Sequence, residues 1–257
     1  MSGWHDLAEE AARWQDSGAV ADLWFRDDDA AEDGPALQRL LELHRGAGVP
    51  VALAVVPSRA ASSLADRLAR EEGVDILQHG YAHADHAGTG EKKIELGAQR
   101  PAMLVLGELG TGWLALERLF GARPLRVLVP PWNRIAPALV PTLPEIGFTG
   151  LSTFGARRRE RPVTGLLAVN THVDLIDWRQ RRFVGEAAAL DALVSALRQS
   201  RTSSREPVGV LGHHLVMDDE AWDFLRSMLE RTKMSGLRVR PARELFAIED
   251  LGREVRG

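Results

Sequence analysis

The sequence contains no cysteine, which excludes disulfides, thiolate metal sites and cysteine nucleophiles; any metal must be held by nitrogen and oxygen. An excess of positive charge is also missing. The 32 Lys and Arg against 36 Asp and Glu leave a formal net charge of −4, so neither nucleic acid nor an anionic membrane is the expected partner. No apolar run approaches the ~20 residues of a membrane span. The first 21 residues interleave Asp6, Glu9, Glu10, Arg13 and Asp16 with apolar positions, unlike a signal peptide. These absences set a cytoplasmic protein as the expectation. No repeat or low-complexity segment divides the chain, and 257 residues with 45% hydrophobic content suffice for one large core.

What is present starts with Leu23-Trp24-Phe25-Arg26-Asp27-Asp28-Asp29-Ala30, an apolar run that ends in three consecutive carboxylates. Adjacent ionised acids delivered by an apolar strand are costly unless a cation or a shared proton compensates them. Helical spacing over 4–17 (Trp4, Leu7, Ala11, Trp14) precedes a strand over 19–25, and the acids follow it. Helices are then expected over 35–45 and 62–72, with the proline-bounded strand 50–57 between them and a strand 74–78 after them that delivers His79. The stretch 90–120 reads as a loop plus helices broken near Pro101 and over 107–112. Strands over 125–129, 148–153, 165–171, 207–211 and 237–239 alternate with helices over 137–146, 186–200, 218–233 and from Pro241. Strand alternating with helix indicates a parallel α/β sheet, open or curled. Two basic clusters, Arg157, Arg158, Arg159 and Arg161, then Arg179, Arg181 and Arg182, read as solvated loops, either of which could meet an anionic substrate.

The polar residues fall in a pattern. Asp28 and Asp29, His79 and His83, Trp132 and Asn133, Asp174 and Asp177, and His213 and His214 each sit at or just past the C-terminal end of an expected strand. In parallel α/β folds those ends converge on one site. The i, i+4 spacing of His79 and His83 suits two imidazoles on one face of a helical turn. Joined to a carboxylate from a neighbouring strand end, they make a His-His-Asp metal site with open positions, and nitrogen-rich ligation suits zinc, cobalt or nickel better than magnesium.

On these motifs, in this order, the chain resembles the polysaccharide deacetylase family, the NodB-like metal-dependent carbohydrate esterases. The resemblance implies a single domain spanning 1–257, an irregular barrel of (β/α)7 type, with the N-terminal helix as an appendage. It also implies that Asp28 is the catalytic base and Asp29, His79 and His83 hold a divalent metal, with Ala30 at the family's small position; a register one earlier would make Asp27 the base. Val129-Pro130-Pro131-Trp132 matches the third family motif without its arginine, which Arg134 or Arg26 would replace. Asp174-Leu175-Ile176-Asp177-Trp178 matches the fourth, with Asp177 partnering the acid. Leu211-Gly212-His213 matches the fifth, making His213 the acid and His214 its alternate or an added polar contact. Trp132, Asn133, Asp174, Trp178 and His214 are the expected substrate contacts. The implied function is metal-dependent removal of an N-acyl group, acetyl above all, from an amino sugar or glycan. Two alternatives are an amidase acting on a small amide or cyclic ureide, and a silent carbohydrate-binding relative.

Overall fold

The computed structural model describes residues 2–233 and 236–247. Helix α1 (Trp4–Asp16) leads into β1 (Ala21–Ala30), followed by α2 (Pro35–Ala47), β2 (Val51–Val55), α3 (Ser62–Leu68) and β3 (Val74–His79). After a long loop come α4 (Ala102–Phe120), β4 (Pro124–Val129), and the short strands β5 (Gly150–Leu151), β6 (Leu167–Ala168) and β7 (Val173–Asp174). Strands β8 (Ile176–Asp177) and β9 (Arg182–Phe183) form an antiparallel hairpin. Then follow α5 (Glu186–Gln199), β10 (Val208–Gly212), α6 (Asp219–Arg231), β11 (Leu237–Val239) and α7 (Ala242–Leu245).

All ladders of the main sheet are parallel, in the order β6-β5-β4-β3-β2-β1-β10-β7, with β11 pairing the first residues of β1. The sheet curls into a half-barrel of eight strands, consistent with a (β/α)7-type barrel. Side-chain alternation divides each strand between two cores. Leu23 and Phe25 of β1, Ile76 of β3 and Val210 of β10 face outward to the helices, whereas Trp24, Ala52, Ala54, Leu77, Val127 and Val129 fill the interior. Gly209 is what admits Trp24, since a Cβ there would lie 2.5 Å from the indole nitrogen. The N-terminal helix, expected as an appendage, lays Leu7, Ala11 and Trp14 into the outer core.

Three local expectations change. The acids lie inside β1, which runs to Ala30, because the strand stays paired with β2 across a register shift between Asp27 and Ala30. The helix expected to break at 107–112 is continuous as α4; Gly112 sits where a Cβ would come within 2.7 Å of Gln78, so it serves close packing. The helix expected over 137–146 is two 3-10 segments, Pro137–Thr142 and Pro144–Ile146, because Pro141 and Pro144 have no N–H to donate to an α-helical ladder. Among the described residues no helix is long and apolar enough to cross a membrane.

Candidate active site

The centre forms where β1 and β3 end. Asp29 takes a left-handed backbone (φ 72°) at the register shift, and its Oδ1 lies 3.3 Å from His79 Nε2 and 3.2 Å from His83 Nε2. His79 is the last residue of β3, and its Nδ1 lies 3.0 Å from the carbonyl of Val129. A carbonyl only accepts, so Nδ1 carries a proton and Nε2 is the nitrogen turned to Asp29. His83 arrives through a turn and not the expected helix. Gly80 (φ 55°) reverses the chain directly after the strand, and His83 is itself left-handed (φ 54°). Buried Glu95 holds that turn by accepting the N–H groups of Tyr81 and Ala82 at 3.2 and 2.7 Å. Glu95 carries no motif, lying inside the stretch read as loop and broken helices, and nothing in the sequence singled it out.

The donor set fits a divalent cation. One atom each from Asp29, His79 and His83 lies within 4.8 Å of the others, and among the described residues no Lys or Arg nitrogen pairs with Asp29. Burial pushes the Asp29 carboxyl up, yet the hydrogen bond and charge of His79 outweigh it and hold the group well below the usual carboxylate range. Burial pushes His79 down, but Asp28 and Asp29 outweigh it and raise it, while His83 is lowered by burial and by His79. An anion with two converging imidazoles is the pattern a borderline metal takes up.

Strand alternation sorts the acids before it. Arg26 and Asp28 share the inner face of β1, and Arg26 grips both oxygens of Asp28, at 2.8 Å through Nε and 3.1 Å through Nη2. Arg26 also donates to Ser152 Oγ and Asn133 Oδ1, both at 2.6 Å, and is 1% exposed. Of the two candidates to replace the missing arginine, Arg26 is the one paired with Asp28, whereas Arg134 donates to the backbone of Lys93. Asp27 faces outward and accepts both the backbone N–H and Nδ1 of His214. The structure therefore turns His214 away from the cavity and brings His213 into it. His213 Nε2 is 4.0 Å from Asp28 Oδ2, and its buried Nδ1, without a hydrogen-bond partner, is 4.0 Å from Asp174 Oδ1. Asp177, the expected partner, does not reach His213, because its carboxylate caps the turn after it by accepting the N–H groups of Arg179 and Gln180. Asp174 accepts from the indole of Trp178 at 2.9 Å, and burial raises its pKa.

These groups floor a cavity of about 530 Å³ whose walls include Trp132, Asn133, Phe154 and Trp178. Of the six non-glycine residues with left-handed backbones among the described residues, five line it: Asp29, His83, Trp132, Asn133 and Arg181. Such backbones are costly, and they concentrate where a scaffold holds side chains for function. A larger groove of about 780 Å³ lies against Glu71, Glu72, Asp75, Arg123 and Arg243; there Arg243 pairs with Asp75, Glu71 with Arg45, and Arg123 donates to backbone carbonyls.

No family model matches the sequence, and no curated protein matches it. Solved structures do. A Mycobacterium smegmatis protein described as a polysaccharide deacetylase aligns with TM-score 0.69 at 20% identity, over 88% of this chain and 89% of its own. Bacillus subtilis peptidoglycan deacetylase PdaC aligns with TM-score 0.56 at 15% identity, over 88% and 90%. A family 4 acetyl xylan esterase from Clostridium thermocellum, in complex with a cobalt ion, aligns with TM-score 0.52 at 16% identity, over 88% and 90%. The chain thus has the fold of these deacetylase and esterase structures along most of its length.

Proposed function

We propose that the chain is a metal-dependent hydrolase of the polysaccharide deacetylase type, which removes an acetyl group from the nitrogen of an amino sugar or glycan. One observation carries this reading: a His-His-Asp triad, a buried carboxylate clamped by arginine and a histidine facing a second carboxylate all open on one cavity. Asp29, His79 and His83 would hold a divalent metal, zinc, cobalt or nickel, and it would supply positive charge to the acyl oxygen as that oxygen becomes negative. The cobalt ion in the Clostridium thermocellum structure agrees with that choice. Asp28 takes the proton of the attacking water; Arg26 fixes both carboxylate oxygens so that one edge stays turned to the cavity. His213 gives a proton to the departing nitrogen, and Asp174 stabilises the charged ring from its Nδ1 side. Trp132 and Trp178 offer flat apolar faces to a sugar ring.

Metal analysis of the purified protein, followed by acetate release from a panel of N-acetylated sugars, tests the reading. Stoichiometric binding of a divalent metal and metal-dependent acetate release are expected. A protein that takes up no divalent metal, or a loaded one inert on every N-acetylated sugar, would refute it.

A further inference from the structure

The charged groups on the floor of the cavity have partners, and those on its rim make no salt bridge among the described residues. On the floor each carboxylate has a positive or protonatable partner: Asp28 has Arg26, Asp29 has His79 and His83, and Asp174 faces His213. On the rim, Lys93, Arg134 and Arg181 line the same cavity, and none of the three makes a salt bridge among the described residues. Acids near them in sequence accept from backbone N–H groups, Glu95 among them, and Asp85 feels the Lys93 charge without closing a salt bridge. Asp85 accepts from the N–H groups of Ala87 and Ile94, Glu91 from that of Gly88, and Asp177 from those of Arg179 and Gln180.

The segments that carry these cations are also held in place. Arg134 Nη1 donates to the carbonyl of Lys93 at 2.8 Å, joining the two loops that carry them, and the Lys93 ammonium lies 5.9 Å from the centre of the Trp132 ring. Arg181 occupies the left-handed position (φ 52°) of the turn between β8 and β9, where its N–H donates to the carbonyl of Asp177 at 2.7 Å. Glycine would be unstrained there, and the turn carries an arginine that lines the cavity. Three cations without a salt bridge on one rim repel one another and focus a positive potential at the mouth, which an anion relieves. Guanidinium groups in particular match the planar oxygens of carboxylate and phosphate.

From this we infer that the substrate is an anionic N-acylated sugar, whose carboxylate or phosphate is received by Lys93, Arg134 and Arg181 while its N-acyl group enters the floor; the inference rests on the hydrolase reading for the floor. Acetate release by the metal-loaded enzyme is compared for N-acetylglucosamine, N-acetylmuramic acid and N-acetylglucosamine 6-phosphate. The two charged sugars separate a carboxylate source from a phosphate source. At least one is expected to show a kcat/KM about tenfold above the neutral sugar, carried by KM, with the advantage shrinking as salt screens the rim. Arg134→Gln and Arg181→Gly should each reduce the charged-to-neutral ratio, the glycine variant without disturbing the turn. Acetate release with equal kcat/KM on all three sugars overturns the inference and leaves the hydrolase reading standing. Should no sugar release acetate, quenching of tryptophan fluorescence by the same three sugars still decides it. Tighter binding of a charged sugar, lost in Arg181→Gly, supports the inference, and binding indifferent to charge overturns it.

Discussion

Arg26 and Asp28 are two residues apart on one strand, and alternation places both on its inner face, where a charge of either sign alone would be stranded. Breaking a buried pair by removing one partner costs about 3–5 kcal/mol. Arg26→Met should therefore lower unfolding stability by that order in urea and cut turnover by about 10²-fold, while Arg26→Lys, which keeps charge but not the two-point grip, falls between. A stable, active Arg26→Met would remove the clamp from the mechanism. The sequence made Arg26 and Arg134 equal candidates; the period of two was the signal that separates them. A second prediction concerns the acid's partner. Asp174→Asn should lower kcat at least about tenfold, whereas Asp177→Asn, which touches only turn N–H groups, should change it by no more than about threefold. The opposite ranking would restore Asp177 to His213. The motif showed two aspartates three residues apart, and only the hairpin that follows decides which one turns inward.

At the scale of elements, the end of β3 and its turn set the metal geometry, and Gly80 is the hinge on which they join. A Cβ on Gly80 would lie 2.1 Å from Glu95 Oε2 and 2.6 Å from the Pro131 ring, at a φ of 55° that already disfavours side chains. Gly80→Ala must move Glu95 or Pro131, and either shift carries His83 or Trp132 with it. Metal affinity should fall at least about tenfold and the melting temperature by several degrees, read by metal titration and calorimetry. Unchanged affinity would show that the turn tolerates His83 elsewhere. His79 and His83 were legible as a spaced pair; the helical turn assumed for them was not formed, because the glycine between them takes the left-handed region. Glu95 was invisible for a related reason. A buried acid whose partners are backbone N–H groups forms no pattern with other side chains.

At the scale of the whole molecule, the apolar runs of β2 and β10 were legible because both of their faces are buried and nothing polar interrupts them. β5 and β6 were read as longer than two residues because 148–153 and 165–171 stay largely buried beyond the ladder, where Ser152 and Val169 still donate backbone N–H groups to the neighbouring strands. The same burial sets how the fold responds to pH through two outward-facing histidines of opposite sign. His44, on α2, has its Nδ1 3.2 Å from the carbonyl of Val49 and its ring edge-on to Phe25, and burial pushes it down to about 4 against these backbone contacts. At neutral pH it is uncharged folded and unfolded; as pH falls from 6.5 towards 4 only the unfolded chain takes up the proton, so stability is lost across that window. The loss amounts to about 3 kcal/mol. For His214 burial also pushes down, but Asp27 outweighs it and raises the pKa, so its contribution is complete below 6.5 and fades as pH rises through the folded value. Urea unfolding of the wild type and His44→Leu at pH 7 and pH 4.5 separates the two. The variant should start lower or equal at neutral pH and lose about 2 kcal/mol less on acidification. Parallel losses in both proteins would assign the acid sensitivity to other groups.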